Sequence, residues 1–448
     1  DVTDSGRMRM FSNGEIVADL SREFIDSAGA KHYSKATVNA VEGRNPFTNT
    51  PEGNSLPEKM CAVLSSPNVA SQKGLIEMFD STIGRSTVLM PFGGMLQTTE
   101  TQVSVQKLPA DGFTNTASMM AFGFNPDLSS WSPYHGAAYA VVEACSKVVA
   151  AGGDWKGMRF SYQEYFERMT HDPHSWGKPP SALLGALKMQ TAFGLPSIGG
   201  KDSMSGTFED ISVPPTLIAF GINTVKTQNV ISPELKWDGN RLYLIKHTPL
   251  PDRMPDTEQL KANWNFIHSK IESGEIVSGW AVGFGGVAEA LAKMAFGNSF
   301  GVNVKMPEEE LYDLSYGSVV VEAAGALDFP TAILLGEVTD GEDGKLHING
   351  GAVSLDTLKD AWSGRYSSVY PDHVQLADGA GATVSMSASK SSGSKRISAV
   401  RCEKPVVYLP VFPERTAITT LPKPSEKPVQ TPDSAYSATL PARMCWNP

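Results

Sequence analysis

The chain has 448 residues, an ordinary globular composition and a formal net charge of −10 at pH 7. This length exceeds what one ordinary core needs, so two or three domains are expected. The acidic balance argues against a nucleic-acid partner, which needs a basic face, and no apolar run reaches the ~20 residues of a membrane-spanning helix. No two of the four cysteines form a CxxC pair, which is typical of reduced thiols in a cytoplasmic protein.

The first part of the chain predicts a hairpin, a linker and helical segments. The chain begins without Met, so we expect upstream sequence to be missing. Residues 5–25 alternate around an Asn-Gly turn and predict a short β-hairpin. Residues 41–58 are rich in Pro, Gly and Asn and predict a linker, and helical segments are expected from Leu56 and at 71–80. Strand candidates follow at 87–92, 101–108 and 117–124.

The clearest helix is expected over residues 133–152, where Ala and Val dominate one face and two glycines end the pattern. Glu143 lies in this helix, four residues before Lys147. That spacing predicts an ordinary surface ion pair worth about 0.2–0.5 kcal/mol. A carboxylate on a helix of small residues can also face a metal ion, so Glu143 is kept as a candidate metal ligand. A further helix is expected at 183–195.

The run GGKDSM, at 199–204, carries the densest group of chemistry-bearing residues. Its paired glycines let the backbone approach a ligand closely. They are followed by a cation, an anion and a hydroxyl, groups that bind phosphate and metal ions: Lys201, Asp202 and Ser203. The run is not a P-loop, because Gly200 stands where that motif requires lysine. Two interpretations stay open, a ligand-binding loop and a polar loop between two strands.

The composition changes near residue 228, where a second set of elements begins. Strand candidates follow at 240–248, 317–323 and 330–340, and helical ones at 259–274 and within 278–302, after a strand and a glycine turn. Residues 375–400 are small and polar, which predicts a flexible linker. Residues 404–412 predict the first strand of another domain.

Five motifs occur in the order FDSTIG, SPYHGAAYAVVEA, GGKDSMSG with PPTL, GFGGVAEALAKMAFGN, and GSVVVEA with LLGEV. Together they resemble the second half of the synthetase region of phosphoribosylformylglycinamidine synthase, in its large single-chain form. The match covers roughly residues 1–412. It implies an α+β fold of the aminoimidazole ribonucleotide synthetase type, in which a barrel-forming N-terminal subdomain precedes an α+β C-terminal subdomain.

The resemblance divides the chain into seven segments. The tail of the preceding synthetase unit (1–40) is followed by a linker with a helix (41–74), the barrel subdomain (75–228) and the α+β subdomain (229–370). A second linker (371–403), the start of a glutaminase domain (404–412) and a terminal tail (413–448) complete the chain. The implied partners are the missing first synthetase unit and the glutaminase domain of the same enzyme.

The resemblance also implies an activity. The family converts formylglycinamide ribonucleotide, glutamine and ATP to formylglycinamidine ribonucleotide, ADP, phosphate and glutamate, as part of purine biosynthesis in the cytoplasm. ATP and Mg²⁺ are the implied cofactors, and this chain alone is expected to be inactive because its first unit is missing. Two alternatives are kept: a catalytically silent half that completes the barrel and docks the glutaminase, and a separate small-molecule kinase of the same superfamily.

One set of implied site residues concerns an auxiliary nucleotide. The family's second unit holds this nucleotide with Mg²⁺ through Asp, Glu, Asn and Asp side chains. Here Glu143 keeps one position, and the residues at the others are Gln102, Lys147 and Ala281. Mg²⁺ is held by carboxylates together with phosphates, so the auxiliary site is expected to be degenerate in this chain.

A second set of implied site residues is the GGKDSM run, which matches a family loop near ATP, metal and substrate. The resemblance implies nucleotide or substrate contacts for Gly199, Gly200, Lys201, Asp202 and Ser203. Lys201 stands at the position of a metal-binding Asn and is expected to supply the positive charge that a metal supplies there. Asp202 is expected to orient Lys201, and Ser203 stands at a position that contacts substrate.

The C-terminal tail is interpreted as a reading-frame error. Residues 413–448 are rich in Pro, Thr and Ser, show no periodicity and match nothing in the family. Shifting their codons by one base permits a sequence that resembles the GTNC opening of a glutaminase domain. A genuine disordered extension is the alternative, since the composition also fits disorder. In either case the glutaminase Cys-His-Glu machinery is absent from these residues.

Overall fold

The computed structural model describes residues 3–27, 33–41, 43–79, 82, 84–372, 406–409 and 436–439. Within these ranges the helices are α1 (Arg22–Asp26), α2 (Leu56–Leu64), α3 (Lys73–Ile76), α4 (Pro126–Trp131), α5 (Pro133–Ala150), α6 (Pro173–Phe193), α7 (Thr257–Glu272), α8 (Gly286–Phe296), α9 (Glu308–Tyr312) and α10 (Leu355–Gly364). The strands are β1 (Arg7–Ser12), β2 (Glu15–Ser21), β3 (Phe92–Gly93), β4 (Thr99–Glu100), β5 (Ser104–Lys107), β6 (Thr116–Gly123), β7 (Arg159–Tyr165), β8 (Ser197–Lys201), β9 (Thr207–Phe208), β10 (Ile211–Ser212), β11 (Thr216–Lys226), β12 (Arg241–Ile245), β13 (Ile276–Ala281), β14 (Gly301–Val304), β15 (Val319–Ala323), β16 (Ala332–Thr339), β17 (Lys345–Ile348), β18 (Gly351–Ser354), β19 (Val406–Leu409) and β20 (Tyr436–Thr439).

Local sequence signals set several element boundaries. Asn13 and Gly14 have positive φ angles of 52° and 85°, as the tight turn between β1 and β2 requires. Helix α2 begins with a capping box, in which the side chains of Ser55 and Glu58 each accept the other residue's backbone N–H. Helix α6 ends at Gly194, which adopts the left-handed conformation at φ 69° that glycine tolerates best.

Two sheets organise the body of the chain. The first sheet has the order β5-β6-β11-β7-β8, and β8 runs parallel to β7 while the other neighbours are antiparallel. The second sheet has the order β13-β15-β12-β16-β14-β17-β18, in which β14 and β17 are parallel. The pairs β1-β2, β3-β4, β9-β10 and β19-β20 form separate two-stranded ladders.

Helices α5, α6 and α7 pack between the two sheets. Their apolar side chains share one buried cluster with the inner face of the first sheet and with residues of the second sheet such as Tyr243 and Val321. Trp264 of α7 is fully buried there, with its ring 5.0 Å from that of Phe193. The other face of the second sheet packs against α2, α8 and α10. The layers are therefore sheet, helices, sheet and helices.

The outer face of the first sheet carries a patch of apolar side chains that is open to solvent. Side chains on alternate positions of three adjacent strands are exposed there: Met120, Phe122, Tyr165 and Ile222. Most residues of the N-terminal hairpin of β1 and β2 are also exposed, including Phe11 and Val17. Contiguous apolar surface of this kind marks a place where another surface docks.

Most sequence-predicted elements are present. The hairpin, the helices from Leu56, over 133–152 and over 259–274, and the strand-turn-helix unit within 278–302 are confirmed. The strand expected at 87–92 is wrong as a continuous strand, because pairing is confined to its two ends: Thr87 forms an isolated bridge with Gln106, and Phe92 belongs to β3. In the described part of the segment 71–80, which ends at residue 79, the only helical element is the single turn α3. No helix in the described ranges has the length and apolarity needed to cross a membrane.

Few of the predictions for the C-terminal part of the chain fall on described residues. The flexible linker expected at 375–400 lies outside the described residues, as does most of the tail at 413–448. Residues 406–409 form β19, as the expected strand at 404–412 requires, and β19 pairs antiparallel with β20 in the tail. The division of the chain into seven segments and the reading-frame interpretation stay predictions.

Candidate functional site

The GGKDSM run begins in the edge strand of the first sheet. Gly199, Gly200 and Lys201 belong to β8, whose five residues are all exposed. A Cβ atom at Gly200 would lie 2.7 Å from the Tyr162 carbonyl oxygen, so the close approach of β8 to β7 requires glycine. The interpretation of the run as a loop between strands is therefore wrong for its first three residues, and the turn begins after Lys201.

Lys201 and Ser203 contact each other where β8 ends. Lys201 Nζ donates to Ser203 Oγ at 2.8 Å and lies 5.6 Å from the centre of the Tyr165 ring. The Ser203 N–H donates to the Glu164 carbonyl at 3.0 Å, which extends the pairing with β7 beyond the strand. Within the described residues Asp202 forms no ion pair with Lys201. Ser203, and not Asp202 as expected, orients the Lys201 side chain. The result is an exposed ammonium beside a hydroxyl.

A buried carboxyl group lies behind this edge. Glu164 is 7% exposed, and its Oε1 has no hydrogen-bond partner in the described part of the chain. Burial raises the pKa of Glu164 to about 7, and the charge of Asp202 acts in the same direction. Sequence reasoning missed Glu164, although alternation in β7 places it on the same face as the buried Phe160 and Tyr162.

Glu143 and Lys147 form a buried ion pair. Their side chains are 7% and 13% exposed, and Glu143 Oε1 lies 2.7 Å from Lys147 Nζ. Glu143 Oε2 accepts the Phe124 N–H at 3.0 Å, and Lys147 also donates to the Phe122 carbonyl at 2.9 Å. The expected surface ion pair is wrong because α5 is packed between the two sheets.

The other two positions of the implied auxiliary site also lie side by side. Gln102 Nε2 donates to the Ala281 carbonyl at 2.9 Å, and Gln102 Oε1 accepts the Ala281 N–H at 2.8 Å. Gln102 and Lys147 line the same small cavity. The structure therefore gathers the four residues that the motifs align with the auxiliary site into one neighbourhood.

These four residues do not fit Mg²⁺. Both oxygens of Glu143 and both polar atoms of Gln102 already have protein partners, and the Lys147 ammonium lies against the carboxylate. Mg²⁺ needs oxygen ligands that are free to coordinate it. Among the described residues, no group of three or more His, Cys, Asp or Glu side chains is placed to hold a metal ion. Glu143 is the partner of a lysine instead.

Three polar side chains that sequence reasoning missed adjoin this neighbourhood. Lys293 Nζ lies 2.5 Å from Glu100 Oε2 and 2.9 Å from Glu289 Oε1. The i, i+4 spacing of Glu289 and Lys293 in a helix of small apolar residues is a sequence signal that could have identified these two residues. Glu100, Gln102 and Lys293 line one side of a cavity of about 400 Å³, whose other walls include Phe122 and Phe220.

The two predicted sites lie at the same end of the first sheet. Gly123, at the end of β6, pairs with Ala219 in β11. Ala219 pairs with Tyr162 in β7, and Tyr162 pairs with Gly200 in β8. Three strand spacings, roughly 14 Å, therefore separate β6 from β8. Glu143 accepts the Phe124 N–H just after β6, so the Glu143 neighbourhood and the GGKDSM run lie at the same end of the sheet without contacting each other.

The fold is that of known PurL structures. Thermotoga maritima PurL complexed with FGAR matches with a TM-score of 0.52 and 16% identity, over 75% of this chain and 48% of that chain. The same protein complexed with ATP matches with a TM-score of 0.50 and 17% identity, over 75% of this chain and 49% of that chain. The expected α+β fold of the aminoimidazole ribonucleotide synthetase type is confirmed.

The sequence is similar to proteins named phosphoribosylformylglycinamidine synthase subunit PurL. The Pyrobaculum aerophilum protein is 26% identical over 319 residues, which are 67% of this chain and 43% of that protein. The Methanothermobacter thermautotrophicus protein is 24% identical over 401 residues, which are 81% of this chain and 53% of that protein. No family model matches the chain. The resemblance expected from the motifs is confirmed, and the chain spans about half the length of the curated relatives it matches.

Proposed function

We propose that this chain is one half of the synthetase part of a cytoplasmic, ATP- and glutamine-dependent phosphoribosylformylglycinamidine synthase of purine biosynthesis. The observation that carries the proposal is the environment of Lys201. Its ammonium is exposed, hydrogen-bonded to Ser203, and without a carboxylate partner among the described residues. A cation and a hydroxyl beside an edge strand containing two glycines suit the phosphate oxygens of a nucleotide or ribonucleotide.

The proposed ligands of this edge are ATP and formylglycinamide ribonucleotide. Support comes from the Thermotoga maritima protein, whose structures are complexes with FGAR and with ATP. In the proposal, Gly199 leaves room for the ligand and Gly200 lets β8 lie close to β7. Lys201 balances phosphate charge and Ser203 donates to an oxygen. Mg²⁺ is proposed to accompany ATP as part of the bound nucleotide, and the Glu143 neighbourhood does not fit a metal ion.

The proposed partner is the first synthetase unit, preceding this chain. The open apolar face of the first sheet fits the half-barrel that such a unit completes, and burying it removes apolar area from water at roughly 25 cal/mol per Å². The exposed hairpin of β1 and β2 fits the proposed tail of that unit, because its apolar side chains have no cover within the described ranges. The glutaminase domain is the second proposed partner.

The test is the activity of the enzyme in which this chain is joined to its first unit and glutaminase. Ser203→Ala should lower kcat/KM for formylglycinamide ribonucleotide by ~1–3 kcal/mol of transition-state binding. Lys201→Met should cost more, since it removes a charge but keeps side-chain length. Lys226→Met is the matched control, because Lys226 is exposed, also donates to a hydroxyl, on Thr116, and lies at the opposite end of the sheet. This chain alone should form no product with ATP and ammonium.

A second candidate is a catalytically silent half with a structural role. The buried pair of Glu143 and Lys147 favours it, because a site implied to hold Mg²⁺ is closed by a lysine. The variants separate the two candidates. If Lys201→Met and Ser203→Ala retain the kcat/KM of Lys226→Met, the silent half is the better description. Glutaminase activity alone should be unaffected by all three variants under either candidate.

A further inference from the structure

Residues 99–102 are bonded to the second half of the fold by three side chains, which we name the polar clasp: Thr99, Glu100 and Gln102. Thr99 Oγ1 donates to the Lys293 carbonyl at 2.5 Å and accepts the Gly297 N–H at 2.9 Å. Glu100 pairs with the Lys293 ammonium, and Gln102 makes its two bonds to Ala281. The clasp therefore connects the segment leading into the first sheet with α8 and β13.

The polar clasp binds a buried cation, the ammonium group of Lys293. Lys293 is 3% exposed and contacts two carboxylates, Glu100 and Glu289. Burial acts to lower the pKa of Lys293, but the two carboxylates outweigh it and hold the pKa above its usual value. Burial also raises the pKa of Glu100, against the pull of Lys293. Glu100 Oε2 lies 2.5 Å from the Lys293 ammonium, so the carboxyl group has its cation in direct contact.

Lys147 is a second, largely buried cation in the same region. It neutralises Glu143, donates to the Phe122 carbonyl and lies 4.6 Å from the centre of the Phe122 ring. Buried carboxylates are destabilising unless a cation and hydrogen bonds compensate them. Among the described residues, each of these carboxylates contacts an ammonium group: Lys147 for Glu143, and Lys293 for Glu100 and Glu289.

We infer that the ammonium groups of Lys147 and Lys293 take the place of bound divalent cations at this interface, so that the polar clasp holds the two sheets together without metal or nucleotide. The carboxylates of Glu143, Glu100 and Glu289 contact the ammonium groups of these two lysines. Gln102, which stands at an implied metal-ligand position, is hydrogen-bonded to the backbone of Ala281. The inference concerns the Gln102 side of the fold and does not depend on ligand binding at GGKDSM.

The first experiment compares the purified full chain in EDTA with the chain in millimolar Mg²⁺ and ADP, by hydrogen–deuterium exchange. Exchange at residues 99–102 and 143–147 should be the same in both conditions, since no ion is needed there. Protection confined to residues 199–206 would report nucleotide at the proposed site and leave the inference standing. Mg²⁺-dependent protection at 99–102 or 143–147 would overturn it.

The second experiment removes the tethered charge. Lys293→Met leaves the Glu100 and Glu289 carboxylates without their shared cation and should lower Tm by at least about 6 °C. Lys261→Met is the matched control, because Lys261 pairs with Glu258 on the exposed surface of α7, and its Tm should change by less than about 2 °C. A Tm for Lys293→Met equal to that of the control would overturn the inference.

A milder variant covers the case in which Lys293→Met does not fold. Glu100→Gln removes the charge that crosses the interface, while Lys293 keeps Glu289 on its own helix. Exchange at residues 99–102 should increase at least threefold, and exchange within α8 should not change. Unchanged exchange at residues 99–102 would show that the ion pair does not hold the interface, and would overturn the inference as well.

Discussion

Glu164 is a residue whose chemistry follows from the strand it lies in. The sequence RFSYQEY places it two positions after Tyr162, on the face of β7 that packs against helices. Burial makes the charged form costly, and the neighbouring Asp202 adds to that cost. The folded state therefore binds a proton at Glu164 more tightly than the unfolded state does.

This difference predicts a pH-dependent effect of Glu164→Gln. The pKa of Glu164 rises from 4.5 to about 7 on folding, so the wild-type chain loses stability as pH rises through this window. The glutamine variant has no charge to bury, and its stability relative to wild type should increase by about 1–2 kcal/mol between pH 5 and pH 8. Urea denaturation at the two pH values measures it. Glu342→Gln, at an exposed loop position, should show no such trend, and equal trends would contradict the prediction.

The site could be predicted from the sequence only in part. The motifs identified Glu143, Gln102, Lys147 and Ala281 as neighbours, and the structure gathers them. The burial of Glu143 could not be predicted from its i, i+4 spacing, because that spacing is the same on a surface helix and on one covered by two sheets. The contact of Lys293 with Glu100 could not be predicted for a different reason, since the two residues lie 193 positions apart in sequence.

At the scale of elements, α6 leads directly into the GGKDSM strand. The helix ends at Gly194 with φ 69° and ψ 28°, and its N–H donates back to the last turn. Leu195 is buried after this turn, and β8 begins two residues later. The conformation of one glycine therefore directs the chain from the helix into the edge strand that presents Lys201.

This turn predicts the effect of Gly194→Ala. No atom lies within 4 Å of a Cβ at Gly194, so the cost is the left-handed backbone alone, about 1 kcal/mol of unfolding free energy. Gly364→Ala is the matched control, because Gly364 also lies at a helix end in open space but without positive φ, and it should be neutral or slightly stabilising. Chemical denaturation of both variants measures the difference. A loss for Gly364→Ala as large as that for Gly194→Ala would contradict this account.

The elements that the sequence failed to predict are those that tertiary packing decides. Helix α6 begins at Pro173, ten residues before the predicted start at 183, and runs through Pro179 and Pro180. Local rules place a helix end before such prolines. Here the helix is held by close packing, since a Cβ at Gly185 would lie 2.0 Å from the Tyr134 carbonyl of α5. By contrast, α5 and α8 were predictable, because a helix that is apolar on nearly all sides is stable only when it is buried.

At the scale of the whole molecule, the two faces of the first sheet differ in a way that composition does not reveal. Its inner face shares one core with α5, α6, α7 and the second sheet. Its outer face carries exposed apolar side chains on β6, β7 and β11. A net charge of −10 keeps copies of the chain apart at long range, but it is screened beyond about 10 Å at moderate salt. Apolar contact across the open face can then dominate.

The isolated chain is therefore expected to self-associate through this face, where the first synthetase unit is proposed to dock. Ile222→Lys places a charge at its centre, and a buried unpaired ammonium is costly, so the dissociation constant for self-association should rise at least about tenfold. Sedimentation velocity over a range of concentrations measures it. Leu250→Lys is the matched control, because Leu250 is comparably exposed but lies in the loop after β12. A wild-type chain that stays monomeric at high concentration, or an Ile222→Lys variant that associates like Leu250→Lys, would show that this face needs no partner.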